Sequence, residues 1–272
     1  MRWMVVLLLL VSCTQCGQTG GTSGDLEKSN RRNDLAVEYL GKHELEAAET
    51  EVNKAIALAS TNEVPFNTRG LIHVVRALDA RRSKEIDQCL TGVDAEVFDE
   101  EEDAELTKAE ADFAKATEIA PDYGEARSNR GSVAILLEQA DDAIAHLTKA
   151  LGNPARLVEP GLTRTNLGYA YLLKNDTVRA AKELLTVKQF SPGSCLATLR
   201  LGRVYFAREE WDKAAQEFQS VDPKCHLQEA SFYLMKTRLE QGLTTEAQAA
   251  RDACLALSPQ SCLAAQCRAG VP

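Results

Sequence analysis

The residues able to do chemistry in this 272-residue chain are eight cysteines and four histidines, and their spacing decides what they can do. Cys13-Thr14-Gln15-Cys16 has the CxxC spacing of a redox or metal pair, but no second ligand pair lies near it and an apolar run directly precedes it. His43, His73, His146 and His226 stand far apart. Two helical histidines need three or four residues between them to share a face and a metal. No phosphate-cradling glycine loop, dinucleotide glycine motif or nucleophile elbow is present. The expectation is therefore no catalytic residue, no metal site, no cofactor, no small-molecule substrate and no enzyme. Thirty-one Lys and Arg against forty Asp and Glu give a net charge of −9, which repels phosphate backbones and argues against nucleic acid as a partner. What remains is binding, and the elements that position a binding surface.

The N-terminus reads as an export signal. Met1-Arg2 is a short positive region and Trp3 to Val11 an apolar run of nine residues. A spanning helix needs about 20 apolar residues, so the run fits a secretory signal over residues 1–12 instead. Leu10-Val11-Ser12-Cys13 resembles the lipobox of bacterial lipoproteins, which implies that Cys13 is diacylated and becomes the mature N-terminus. Thr14 follows it, where that family's inner-membrane retention signal is Asp, so the resemblance implies an outer-membrane anchor facing the periplasm. Residues 13–28 are rich in Gly, Thr, Gln and Ser and read as a lipidated start plus flexible tether.

Residues 29–272 carry a period. Alanines at 48, 109, 143, 180, 214 and 247 are separated by 61, 34, 37, 34 and 33 residues. Twelve residues before most of them stands a small residue: Ala36, Gly131, Gly168, Gly202. Four residues after stands a bulkier one: Val52, Phe113, Leu147, Leu184, Phe218. Pro121, Pro192 and Pro259 close units, because proline cannot continue a helix. Two helices approach closely only where small residues face each other, so the pattern predicts paired helices of which the first offers a glycine to the second's bulky side chain. Aromatics at 6% and few turn residues also argue against a sheet. The period and residues match the tetratricopeptide repeat. The expected fold is all-α, a superhelix of six such repeats with twelve helices and a short terminal helix near residues 260–268. Repeat six departs from the pattern, with Met235 at the glycine position and Arg251 at the bulky one, as a capping repeat would.

The 61-residue interval is one period plus 27. Gly70 and Phe113 keep their places, so the extra residues fall near 77–103 and predict a protruding hairpin that lengthens both helices of repeat two. Its acidic run, Asp99 to Asp103, suits the positive end of a helix dipole, with a cation site as the alternative. The remaining cysteines include Cys195, Cys225 and Cys262 at matching places, just after the turns that open first helices. Export permits disulfides. Cys195–Cys225 is the expected bridge between adjacent repeats, and Cys254–Cys267 that between the last repeat and the terminal helix. Cys262 competes for either partner, and buried free thiols are the alternative. Cys16 and Cys89 have no assigned role.

A lipobox, a tether and six repeats together resemble the type IV pilus pilotins, the Tgl/PilF/PilW group of outer-membrane lipoproteins. Asn153-Pro154-Ala155-Arg156-Leu157-Val158-Glu159-Pro160-Gly161, leading into Thr165-Asn166-Leu167-Gly168, is similar to a Pro-containing insertion in that family. The 27-residue insertion departs from it. The resemblance implies binding to secretin protomers, the subunits of the channel through which the pilus passes, and promotion of their assembly. Other repeat lipoproteins act as scaffolds for peptidoglycan enzymes or barrel assembly, and composition does not separate these. In this repeat, positions 5, 9, 12 and 13 of each first helix face the concave side. They place Leu40, Leu71, Val74, Val75, Ile135 and Leu136 in an apolar partner-binding groove, unless the long hairpin or the tether covers it.

Overall fold

The computed structural model describes residues 23–270 apart from residue 222. The signal segment, Cys13 and Cys16 lie outside the described residues. Thirteen α-helices follow one another, and the described residues contain no strand. Six consecutive pairs are α1 (Ser23–Gly41) with α2 (Leu45–Leu58), α3 (Glu63–Arg82) with α4 (Val93–Ile119), α5 (Gly124–Leu136) with α6 (Ala140–Gly152), α7 (Pro160–Leu173) with α8 (Thr177–Phe190), α9 (Cys195–Ala207) with α10 (Trp211–Gln219), and α11 (Gln228–Glu240) with α12 (Thr244–Leu257). α13 (Cys262–Ala269) ends the array. α1 begins six residues inside the segment expected as tether. Asp25 in its first turn suits the helix dipole, and Ser29 is drawn in by donating to the Ala55 carbonyl at 2.8 Å.

Four of the six pairs close on a glycine. A Cβ built on Gly131 would stand 2.5 Å from Leu147, on Gly168 2.7 Å from Leu184, on Gly202 2.5 Å from Phe218, and on Gly70 2.6 Å from Phe113. These bulky residues are almost fully buried, and in the first pair Ala36 and Val52 share one core cluster. The last pair exchanges the roles. Arg251 turns to Asp252 at 3.0 Å instead of filling the layer, and the buried Met235 fills it, packed with Cys254 and Cys267 and reaching Gly270 beyond α13.

The turns within pairs repeat one design. His43, Glu138, Asn175, Glu209 and Gly242 all take positive φ, between 50° and 80°, one residue before the second helix's cap. In each turn the next N–H donates five residues back: Glu44 to Tyr39, Gln139 to Ala134, Asp176 to Tyr171, Glu210 to Tyr205, Leu243 to Arg238. That is the Schellman closure of a helix C-terminus, which satisfies carbonyls the helix leaves free. The turn is absent only from the second pair, where the insertion replaces it.

The insertion lengthens both helices, α3 to 20 residues and α4 to 27, joined by a π-turn at Ser83–Asp87 and a left-handed Gly92. The hairpin does not project freely, however. Cys89 near its tip is bonded to Cys262 at the start of α13, with Cα atoms 4.5 Å apart and a sequence separation of 173. The structure also holds the bridges Cys195–Cys225 and Cys254–Cys267. Cys262 thus pairs with neither of its expected partners. The acidic run is a solvated helix face whose inner members pair with basic residues of the hairpin's first arm: Glu102 with Arg81 at the end of α3 and Asp99 with Lys84 in the π-turn.

Candidate functional site

The first helices of the pairs are pinned to one another by polar contacts along their inner faces. Asn129 donates to Asn67 at 2.9 Å, Asn166 to Ser132 at 2.9 Å, and Arg200 to Asn166 at 2.6 Å. Arg203 donates to the Tyr169 hydroxyl at 3.2 Å and to Glu229 at 2.7 Å. Asn129, Asn166 and Arg200 each precede their helix's packing glycine by two residues, so they share one register position.

Where this ladder reaches α9 it borders a cavity of about 430 Å³. α5 supplies Ile135 and Leu136, α7 Tyr169 and Leu173, α9 Leu196, Leu199, Arg200 and Arg203, and α11 Glu229. The opposite wall is the end of the long hairpin, Arg81 and Glu85. A second cavity of about 880 Å³ adjoins it, lined by Ile86 and Leu90 of the hairpin and by Phe232, Tyr233 and Leu263 of the C-terminal helices. Glu85 and Glu229 belong to both. The hairpin therefore forms one wall of the inner space, held there by the Cys89–Cys262 bridge.

Of the six residues expected in the groove, only Ile135 and Leu136 line the 430 Å³ cavity. All six are half-buried. Leu40 and Val75 pack on the cluster of Ala36, Leu45, Val52 and Ile72; Leu71, Val74 and Leu136 pack on Leu106 and Phe113; Ile135 packs on the central cluster. Four of the six thus sit at a core margin away from this cavity.

Electrostatics set the cavity's character. Burial pulls the Arg200 guanidinium down from the usual arginine range to about 10. Its plane lies 4.5 Å from the centroid of Tyr169, a cation–π contact. Arg203 is also desolvated, but Glu229, Tyr169 and Tyr233 outweigh that and hold its pKa above the usual value. Burial raises the Tyr233 phenol. Sequence reasoning did not single out Arg200. The recurring polar residue two before the glycine was the available signal.

The histidines are dispersed. His43 faces Asp79 at 3.0 Å on the surface. His73 is buried between α3 and α4, 2.7 Å from Glu105 and 3.8 Å from Asp112, which Arg69 clamps with two hydrogen bonds. Burial and then Arg130 depress the His146 pKa. His226 lines the larger cavity. No group of three His, Cys, Asp or Glu among the described residues has a metal-holding arrangement, and no described helix is long and apolar enough to cross a membrane.

No family model matches the chain, and no curated protein sequence matches it. Solved structures do match in fold. The chain is similar to Pseudomonas aeruginosa PilF, with 13% identity and a TM-score of 0.68 over 91% of this chain and 99% of that one. It is similar to PilW, a widely conserved type IV pilus biogenesis factor, with 20% identity and a TM-score of 0.66 over 88% of this chain and 97% of that one. A tetratricopeptide repeat protein from Parabacteroides merdae gives 14% identity and a TM-score of 0.62 over 90% and 85%. The chain thus has the all-helical tetratricopeptide-repeat fold of these proteins.

Proposed function

We propose that this chain is a type IV pilus pilotin: an outer-membrane lipoprotein, anchored through Cys13, that binds secretin protomers and promotes their assembly into the channel. The observation carrying the reading is the near end-to-end likeness to PilF and PilW, which covers 99% and 97% of those chains. The lipobox-like Leu10-Val11-Ser12-Cys13 supports the anchor, since two or more acyl chains give stable membrane attachment. Stacked helix pairs with a lined inner space suit a protein segment as ligand.

The test has two arms. Cys13→Ala should release the protein from outer-membrane fractions or block its maturation, and a mutant still processed and sedimenting with that membrane removes the anchor. A charge at Leu71 or Val75, or at Leu136 on the cavity wall, should abolish heat-stable secretin multimers while circular dichroism shows the repeats still folded. Normal multimers from a folded, lipidated variant remove the groove from the mechanism. Co-purification with peptidoglycan synthases or barrel machinery in place of secretin would reassign the partner.

A further inference from the structure

The three bridges differ in what keeps their sulfurs together apart from the bond itself. Cys254 and Cys267 are fully buried between α12 and α13, which are neighbours in the array. Cys195 and Cys225 are half-buried against the apolar cluster of Leu199, Phe218 and Ala230. Cys89, by contrast, is exposed at the end of the hairpin, and Cys262 is half-buried. The polar contacts of that end stay within the hairpin. Lys84 pairs with Asp99, Arg82 with Asp87 at 3.5 Å, and the Leu90 N–H donates to the Lys84 carbonyl at 3.0 Å. Among the described residues no hydrogen bond or ion pair joins residues 83–99 to α9–α13. The cavity of about 880 Å³ lies between them in place of a packed interface, so the Cys89–Cys262 bond is the fastening across it.

We propose that Cys89–Cys262 is a thiol-exchange site: a dithiol protein of the Cys-x-x-Cys class reduces it, and its reduction frees the hairpin wall from α13. The inference goes beyond the pilotin reading and does not depend on the identity of the bound partner. Accessibility and thermodynamics select the same bridge. An attacking thiolate must reach a sulfur in line with the bond, and Cys89 is the exposed one. A broken bridge re-forms in proportion to how closely the fold keeps its two thiols. Cys254 and Cys267 stay on packed helices when their bond is cut, whereas Cys89 has no comparable hold near Cys262. The direction of attack follows from the other sulfur. Cys262 is the first residue of α13, whose cap Ser261 accepts from the Ala264 N–H at 3.0 Å, and a helix N-terminus stabilises a departing thiolate. The reductant's thiolate therefore bonds to Cys89 Sγ, the Cys89–Cys262 bond breaks, and its electron pair leaves on Cys262, which then takes a proton from water. The reductant's second thiolate attacks its own sulfur in the mixed disulfide and releases Cys89, which is protonated in turn. The chain gains two electrons and two protons, and the reductant is left as a disulfide. With the hairpin end released, Phe232, Tyr233 and Leu263 lose the wall that now faces them.

The experiment uses the full chain, purified oxidised and without reductant. Dithiothreitol is added in graded amounts, free thiols are blocked with iodoacetamide, and peptide mapping reports each cysteine. Cys89 and Cys262 should become alkylated together, at about tenfold less dithiothreitol than Cys195, Cys225, Cys254 and Cys267 require. Reduction of this pair at the same dose as the others, or at a higher one, overturns the exchange site. A thioredoxin whose second active-site cysteine is replaced by serine should be captured as a mixed disulfide on Cys89. Capture on another cysteine, or no capture, also overturns it. At the dose that opens this bridge alone, with thiols blocked and reductant removed, hydroxyl-radical labelling of Phe232, Tyr233 and Leu263 should rise about twofold as the wall departs. Cys89→Ser/Cys262→Ser should show the same rise with no reductant, while circular dichroism checks that the helices remain. Unchanged labelling in either sample overturns the release of the hairpin. If the bridge resists selective reduction while secretin multimers still depend on the chain, this inference falls and the pilotin reading stands. If the bridge opens as described and secretin assembly does not need the chain, the pilotin reading falls and the exchange site stands.

Discussion

Removing the long bridge should cost more than removing either short one, and should change how the array unfolds. Cys89–Cys262 closes 173 residues, whereas Cys195–Cys225 closes 30 and Cys254–Cys267 closes 13. In the chain-entropy treatment these loops correspond to about 5, about 3.6 and about 2.9 kcal/mol at 25 °C. The first figure is a ceiling, because the nested Cys195–Cys225 bridge already shortens the free loop and hairpin packing persists without the bond. The topological effect is larger than the difference in energy. A repeat array is stabilised by terms between neighbours, so its ends fray independently. The bridge joins the second pair to α13 and makes the end helices unfold with the middle. In Cys89→Ser/Cys262→Ser, urea unfolding followed by far-ultraviolet circular dichroism without reductant should show a midpoint lowered by a loss of about 2–5 kcal/mol. The transition should also broaden, with a smaller apparent m, as the C-terminal pairs melt first. A variant with the midpoint and slope of the unmodified protein refutes the argument.

Three further outcomes follow from local geometry. Glu209 holds φ 58° at a turn where Gly242 does the same job in the last pair. Relief of left-handed strain exceeds the entropy that glycine costs, so Glu209→Gly should stabilise by about 0.5–1 kcal/mol, and a lowered melting temperature would contradict this. A side chain on Gly131 must occupy space 2.5 Å from Leu147, so Gly131→Val should destabilise by about 1–3 kcal/mol, as read by denaturant titration; an unchanged midpoint would mean that the pair separates at no cost. Desolvation opposes the Glu105 charge, but hydrogen bonds from Lys108 and His73 outweigh it and hold the carboxyl below its ordinary 4.5. The unfolded chain therefore takes up this proton first. The contribution is complete above pH 4.5 and vanishes as pH falls through the lower folded value. Glu105→Gln should flatten the stability profile in that acid window, and an identical profile would exclude Glu105 from acid unfolding.

The parts legible in the sequence were those with a repeating physical cause. A glycine facing a bulky residue is a contact, and its recurrence at 34-residue spacing located Gly168 with Leu184 and Gly202 with Phe218 from the sequence alone. The length of the insertion and its two helices followed from the same register. The turns were not legible, because four of five left-handed positions carry His, Glu or Asn in place of glycine. Their conformation is imposed by the pairing of the helices and not by residue type. The partner of Cys89 was hidden for another reason. Register specifies which residues meet within and between neighbouring pairs, and a contact across 173 residues depends on the curvature of the whole array. Arg200 was passed over because a single charge at a polar register position resembles a surface residue until its surroundings are known. The start of α1 was misplaced for lack of an apolar period, as only Ser29, Asn33 and Ala36 of that helix are buried.

Two kinds of contact divide the work of shaping the inner space. The glycines set how near the helices of one pair come, since a bulky side chain against a bare backbone has one comfortable distance. They leave each pair free to slide past the next. The polar ladder removes that freedom, because Asn166 can donate to Ser132 and accept from Arg200 in one alignment only. Leu136 and Leu199 thereby arrive on one cavity with Arg200 between its amide and its ring. The hairpin then supplies the wall that the first helices lack, and the Cys89–Cys262 bond fixes the width of the space by tying that wall to α13. A ligand entering here meets a surface whose spacing is already set, so little ordering of the protein remains to offset its contacts.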